Sequence, residues 1–96
     1  MKKMLNSLYI TRQESYLHKD RETIVIKNGD DKLGQFPSLT IGSITCFGQV
    51  SVSPFLMGYC AEKGIGLSFY TEYGRFLARV QGKQTGNVLL RRAQYR

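Results

Sequence analysis

The stretch from Ser53 to Gly82 constrains this chain most, because the spacing of its apolar residues changes from that of a helix to that of strands. Ser53 followed by Pro54 is typical of a helix N-terminus, since serine caps free amides and proline needs no donor in the first turn. Gly64 is placed to end that helix in the left-handed conformation. The predicted apolar face of the helix comprises Phe55, Leu56, Met57, Tyr59, Cys60 and Ala61.

Beyond the helix, apolar residues alternate with polar ones in two short runs, which predict two strands joined by a turn at Gly74. Earlier in the chain, alternating or β-branched runs are separated by charged turns and by Asn28-Gly29, a typical hairpin sequence. These runs predict strands at 5–11, 15–19, 23–27, 32–36 and 39–47. Gly42 marks a bulge or bend in the last of them. A strand, helix and strand from Ile44 to Phe69 form a crossover, so those two strands are predicted to be parallel.

The predicted fold class is therefore mainly β (α+β): a small β-meander or sandwich with one helix packed across it. No apolar run approaches the roughly 20 residues that span a bilayer. The N-terminus has neither the apolar segment nor the small-residue cleavage site of a signal peptide. We expect no membrane association.

Fourteen basic and seven acidic side chains give a formal net charge of +7. Such an excess favours an anionic partner, although a solvated basic surface with no partner has the same composition. Cys46 and Cys60 form no CxxC pair, and both lie in predicted apolar positions. Buried reduced thiols are the expected state, which indicates a cytoplasmic protein.

The sequence offers no arrangement of residues for catalysis. His18 is the single histidine, and an isolated strand histidine is more typical of a surface position than of a metal ligand. Asp30-Asp31 follows a hairpin signal and is explained by turn chemistry. Gly64-Ile65-Gly66 lacks the third glycine and the strand-to-helix order of a dinucleotide loop. We predict no catalytic, cofactor or metal residues in this chain.

The order of several segments carries a family resemblance over nearly the whole chain. The segments are MLNSLYIT, CFGQV, GQVSVSPFLMGYCAEKGIGLSFYTEYGRFLARVQG and the basic GNVLLRRAQYR. Together they resemble the N-terminal β-domain of the CRISPR adaptation integrase and endonuclease, CRISPR-associated protein one. The resemblance implies a β-domain at 1–84 and, at 85–96, the start of a linker helix. That helix would lead to a helical catalytic domain absent from this chain, which would then be a fragment.

The resemblance also implies partners and a cofactor. The parent enzyme would acquire new spacers in CRISPR immunity, using magnesium or manganese held by acidic residues and a histidine in the missing domain. This chain alone would not be an enzyme. Its role would be to form a homodimer and to position double-stranded DNA, both the pre-spacer and the CRISPR repeat. CRISPR-associated protein two would be the further partner. The alternative is a stand-alone basic β-domain that binds nucleic acid or a protein without enzymatic activity.

Candidate contact residues are basic or aromatic and lie near turns or in the C-terminal segment. Arginine near a turn can reach phosphates without reading sequence. The resemblance implies an aromatic wedge on the duplex end, for which Tyr16 is the nearest residue. For the tyrosines, the competing interpretation is ordinary packing with the hydroxyl exposed to water. For the arginines, it is a solvated surface or contacts to the missing domain. The DNA candidates are Arg12, Tyr16, Arg21, Arg75, Arg79, Arg91 and Arg92; the dimer-interface candidates are Tyr70 and Leu77.

Overall fold

A computed structural model describes residues 5–82, which fold as two four-stranded sheets with one helix. Sheet 1 has the strand order β1-β5-β7-β8 and sheet 2 the order β4-β3-β2-β6. The predicted mainly β class, a sandwich with one helix, is confirmed. The elements are β1 Asn6–Ile10, β2 Ser15–Asp20, β3 Thr23–Asn28, β4 Asp31–Pro37, a 3-10 helix Ser38–Thr40, β5 Ile41–Phe47, β6 Val50–Val52, α1 Pro54–Lys63, β7 Gly66–Tyr70 and β8 Phe76–Val80.

Sheet 1 is mostly parallel: β1 pairs with β5 and β5 with β7 in parallel, and only β8 is antiparallel to its neighbour. The predicted parallel arrangement of the strands on either side of the helix is thus confirmed. Sheet 2 is an antiparallel meander of β2, β3 and β4, extended by β6 in parallel beside β2. The chain therefore leaves sheet 1 after β5, adds one short strand to sheet 2, and returns through α1.

The local signals for turns and caps are confirmed by the backbone. Ser53 Oγ accepts a hydrogen bond from the Leu56 amide at 3.1 Å, and Gly64 ends α1 with a φ of 77°. Gly29 begins the β3–β4 turn with a φ of 65°. In β5, Gly42 is the extra residue of a bulge, because Asn6 of β1 pairs with Ile41 whereas the next residue, Ser7, pairs with Ser43.

The two sheets share one hydrophobic core, to which α1 contributes Leu56 and Cys60. These two residues lie one helical turn apart and are completely buried. The fully buried side chains from the strands include Leu17 and Ile24 of sheet 2 and Ile44 and Leu67 of sheet 1. Burying such aliphatic side chains contributes about 1.5–3 kcal/mol each, so this core is the main source of stability.

Two expectations were wrong, and one strand was missed. Phe55 was predicted on the buried face of the helix, but it is 85% exposed, because only one narrow stripe of α1 faces the core. The strand predicted to begin at Leu39 begins at Ile41, after a 3-10 turn that leaves Leu39 exposed. Strand β6 was not predicted. The segment 83–96, and with it the predicted linker helix, lies outside the described residues.

Candidate nucleic-acid interface

Three connections meet at one end of the molecule. Because β1, β5 and β7 are parallel, their C-terminal residues lie at the same end of sheet 1. The connections that follow them are residues 11–14, 48–49 and 71–75, and we call them together the loop end. A backbone hydrogen bond from Glu14 N to Gln49 O at 2.6 Å joins the first two connections. A second, from Gly48 N to the carbonyl oxygen of Tyr70 at 2.8 Å, joins the middle connection to the end of β7.

Gln13 fixes the geometry of the loop end. Its Nε2 donates to the carbonyl oxygens of Thr11 at 2.9 Å and Phe47 at 3.0 Å, and its Oε1 accepts from the Gln49 amide at 2.7 Å. The Gln13 carbonyl oxygen accepts from Asn28 Nδ2 at 2.9 Å, which ties the β3–β4 turn to the same end. The Gln13 side chain therefore holds together the connections after β1 and β5, and its backbone carbonyl reaches sheet 2 through Asn28. The sequence does not reveal either role for a polar residue in a polar turn.

Two predicted DNA contacts, Arg12 and Arg75, are both exposed and both belong to the loop end. Arg12 follows β1 and Arg75 immediately precedes β8, with β5 and β7 between these two strands. Strands three positions apart in a sheet are separated by about 14 Å, so the two arginines lie at the same end of sheet 1 without being adjacent. Thr71 Oγ1 accepts a hydrogen bond from the Arg75 amide at 3.0 Å and orders that turn.

Two other predicted arginines lie away from the loop end. Arg21 lies at the opposite end of β2, in the β2–β3 turn, where it adopts a φ of 60°. Arg79 lies within β8, opposite Ser68 of β7. Arg91 and Arg92 lie outside the described residues. Among the predicted arginines that the structure describes, two therefore lie at the loop end and two lie elsewhere.

Tyr16 lies on the outer face of sheet 2, not in a turn. It pairs across the sheet with Lys27, and its ring stacks on that of His18, with 5.7 Å between centroids and 23° between planes. Tyr16 is 42% exposed, so packing within the domain buries only part of this residue.

The predicted dimer contacts lie in the last hairpin of sheet 1. Tyr70 is partly buried between Phe47, stacked at 5.5 Å, and Phe76, edge-on at 5.5 Å. Leu77 is 58% exposed and is the extra residue of a bulge in β8. Strand β8 is exposed on both faces over most of its length, so the predicted division into an inner and an outer face does not hold there. Phe47 and Phe76 were not predicted as partners of Tyr70.

The described residues 5–82 contain no group of three histidine, cysteine or acidic side chains that would hold a metal ion. Burial raises the pKa of the Cys46 thiol to about 12, and the neighbouring Cys60 adds to the shift. Burial also raises the pKa of Cys60 to about 11. Both thiols are free and protonated at neutral pH, as predicted. No helix in this part of the chain is long and apolar enough to cross a membrane.

Comparison with known proteins identifies the family. The family model of CRISPR associated protein Cas1 matches residues 8–96. A CRISPR-associated endonuclease Cas1 from Chlorobaculum tepidum is 51% identical over 96 residues, which make up all of this chain but 28% of that relative. A Cas6-RT-Cas1–Cas2 complex superposes with a TM-score of 0.80 at 15% identity, over 88% of this chain and 9% of the other. A Cas1–DNA complex superposes with a TM-score of 0.63 at 15% identity, over 91% and 30%. The chain belongs to the Cas1 family of CRISPR-associated proteins.

Proposed function

We propose that this chain is the N-terminal part of a Cas1 endonuclease and integrase and that it positions double-stranded DNA. The observation that carries the proposal is that the exposed Arg12 and Arg75 both lie at the loop end, on turns that Gln13 and Thr71 hold by hydrogen bonds. Guanidinium groups in fixed positions contact phosphates and set the orientation of a duplex without reading its sequence. The likeness to a solved Cas1–DNA complex supports this role.

The proposal extends to the whole protein. Cleavage and integration, with a divalent magnesium or manganese ion, would belong to the remainder of the protein, because this chain spans 28% of the length of its relative. Pre-spacer DNA, the CRISPR repeat and a Cas2 protein would be its partners, as the name of the solved Cas1–Cas2 complex suggests. The two free buried thiols favour a reducing compartment, which supports the cytoplasm as its location.

Duplex binding is tested by fluorescence anisotropy with a labelled blunt DNA duplex at several salt concentrations. Each phosphate contact contributes about 0.9 to the slope of log affinity against log salt. Arg12→Ala and Arg75→Ala should each weaken binding and reduce the magnitude of that slope by about 0.9, the contribution of one phosphate contact. Arg21→Ala removes the same charge from the opposite end of β2 and is the matched control. Equal losses in all three variants would indicate a general charge effect and contradict the assignment.

Self-association is the second part of the proposal. Exposed Leu77 and partly buried Tyr70 lie on an edge hairpin, where a second copy can cover them by a two-fold contact. Analytical ultracentrifugation of the 96-residue chain should detect a dimer whose dissociation constant rises in Leu77→Asp. Leu39→Asp, at a residue that is 74% exposed and lies outside the hairpin, is the control. A wild-type chain that remains monomeric at high concentration would refute dimerisation through this domain alone.

A further inference from the structure

The side of α1 that faces away from the core has a glycine in its middle turn. Ala61 and Glu62 come three and four residues after Gly58, so the three residues lie on one side of the helix. The buried Leu56 and Cys60 lie on the opposite side. Gly58 and Glu62 are exposed and Ala61 is half-buried. We call Gly58, Ala61 and Glu62 the outer face of α1.

Gly58 has no role within the described residues. Glycine is less favourable than every residue except proline in a helix interior, because it loses the most backbone freedom. The φ of Gly58 is not positive, so the backbone does not require glycine there. Among residues 5–82, nothing outside the helix backbone lies within 4 Å of a Cβ atom built at this position, so packing does not require it either. The missing side chain leaves room for another segment to approach the helix backbone closely.

The chain leaves the described domain beside this face. Gly82 is the last described residue, and a Cβ atom there would lie 2.6 Å from the Ala61 carbonyl oxygen. The backbone at Gly82 therefore lies directly against α1, about one helical turn from Gly58. Even as a helix, with a rise of about 1.5 Å per residue, residues 83–96 are long enough to cross α1, which has 10 residues.

The composition of residues 83–96 complements the outer face of α1. Residues 88–90 are apolar and can cover a surface of glycine and alanine. The segment has no acidic residue, and its basic residues are Lys83, Arg91, Arg92 and Arg96. The outer face carries the Glu62 carboxylate and lies in the C-terminal half of α1, where the helix dipole favours cations. The Lys63 ammonium lies 5.9 Å from the centre of the Tyr59 ring, on another side of the helix, and does not oppose this match.

We propose that residues 83–96 dock on the outer face of α1. Residues 88–90 cover Gly58 and Ala61, and an arginine of the segment lies beside Glu62. Docking fixes the direction in which the chain leaves the β-domain, and it thereby orients this domain relative to the remainder of the parent protein proposed above. The contact itself needs no DNA, so it is tested independently of the proposed function.

Hydrogen–deuterium exchange of the 96-residue chain, read by mass spectrometry of its C-terminal peptides, measures docking. Gly58→Ala and Gly58→Gln both raise helix propensity, yet each puts a side chain where the segment lies. Amides of residues 88–93 should exchange about tenfold faster in Gly58→Gln than in the wild type, with Gly58→Ala between them. Tyr73→Gln, at a residue that is 92% exposed in the β7–β8 turn, is the control and should match the wild type. Amides of β3 should stay protected in every variant, which separates lost docking from lost folding.

Trypsin cleavage after Arg91 and Arg92 tests the charge contact. Cleavage at these two sites should be about threefold faster in Glu62→Gln than in the wild type, the loss expected for one exposed ion pair. Glu72→Gln removes the same charge from the β7–β8 turn and is the matched control.

Equal exchange of residues 88–93 in the wild type, Gly58→Gln and Tyr73→Gln would overturn the proposal. Protection that increases with protein concentration would overturn it as well, because a second copy would then cover the face. If residues 88–93 are protected as expected but the chain binds no duplex, the docking proposal stands and the proposed function is wrong.

Discussion

Gly48 connects β5 to β6 at the loop end, with a φ of 82°. A Cβ atom at this position would lie 2.6 Å from Nε2 and 2.8 Å from Cδ of Gln13. The amide group of Gln13 would have to move away from an alanine at position 48. It would then lose its hydrogen bonds to the backbone of Thr11, Phe47 and Gln49. Gly48→Ala should therefore loosen the whole loop end.

The expected loss of stability has two parts. Placing alanine in the left-handed region costs about 1–2 kcal/mol. Three hydrogen bonds contribute about 0.5–1.5 kcal/mol each, and values of about 0.7 kcal/mol apply here because two of them are exposed, so their loss adds about 2 kcal/mol. Gly64→Ala is the matched control: its φ is 77° and nothing lies within 4 Å of its Cβ, so only the first part applies. The two variants should differ by about 2 kcal/mol.

Thermal unfolding followed by circular dichroism measures this difference. For a domain of this size, about 2 kcal/mol lowers Tm by roughly 8–16 °C. A double-mutant cycle isolates the cause, since Gln13→Ala removes the side chain that Gly48→Ala displaces. In the Gln13→Ala background, Gly48→Ala should cost no more than Gly64→Ala does. Equal melting temperatures for the two single glycine variants would refute the reasoning.

Three further predictions concern the core, the helix and the thiols. Leu56→Ala should cost about 2–5 kcal/mol in urea unfolding, whereas the neighbouring Phe55→Ala should change the free energy of unfolding by less than about 0.5 kcal/mol. Tyr59→Phe should cost about 1 kcal/mol, because the hydroxyl shares a hydrogen bond of 2.8 Å with a serine of the 3-10 helix and donates one of 3.1 Å to a glutamate of the β2–β3 turn. The raised pKa values of Cys46 and Cys60, about 12 and 11, mean that the folded state holds its thiol protons more tightly than the unfolded state. The contribution of the two thiols to the free energy of unfolding is complete below about pH 9 and is lost as pH rises towards 12. The free energy of unfolding should therefore fall over that window, and it should fall less in Cys60→Ala.

Features that depend on a few adjacent residues could be predicted from the sequence. The Ser53 cap, the Gly64 terminator and the Gly29 turn follow from the conformations that serine and glycine favour. The Gly42 bulge follows from a glycine within a β-branched run. Each of these needs no knowledge of the rest of the chain.

Features that depend on distant partners could not be predicted. Strand β6 has three residues, too few for an apolar period, and exists because it pairs with β2. Phe55 resembles the core residues that follow it, and only the placement of α1 against the sheets decides that it is exposed. Arg12 and Arg75 are far apart in the sequence and lie at the same end of sheet 1 because Arg12 follows β1 and Arg75 follows β7, which runs in the same direction. The candidate site is thus a product of sheet order, whereas its individual residues could be listed from the sequence.

Gln13→Ala tests the fixed position of Arg12 without removing a charge. Arg12 lies in the turn that the Gln13 side chain holds by its hydrogen bond to the Thr11 carbonyl oxygen. In Gln13→Ala, Arg12 gains freedom that it must lose again on binding, at a cost of about 0.5–1.5 kcal/mol. Duplex affinity should therefore fall roughly two- to tenfold.

Gln13→Ala removes no charge, so the slope of log affinity against log salt should not change in this variant. Anisotropy titrations of the blunt duplex at several salt concentrations measure the affinity and this slope together. An unchanged duplex affinity would mean that the hydrogen bonds of the Gln13 side chain do not position Arg12 for binding.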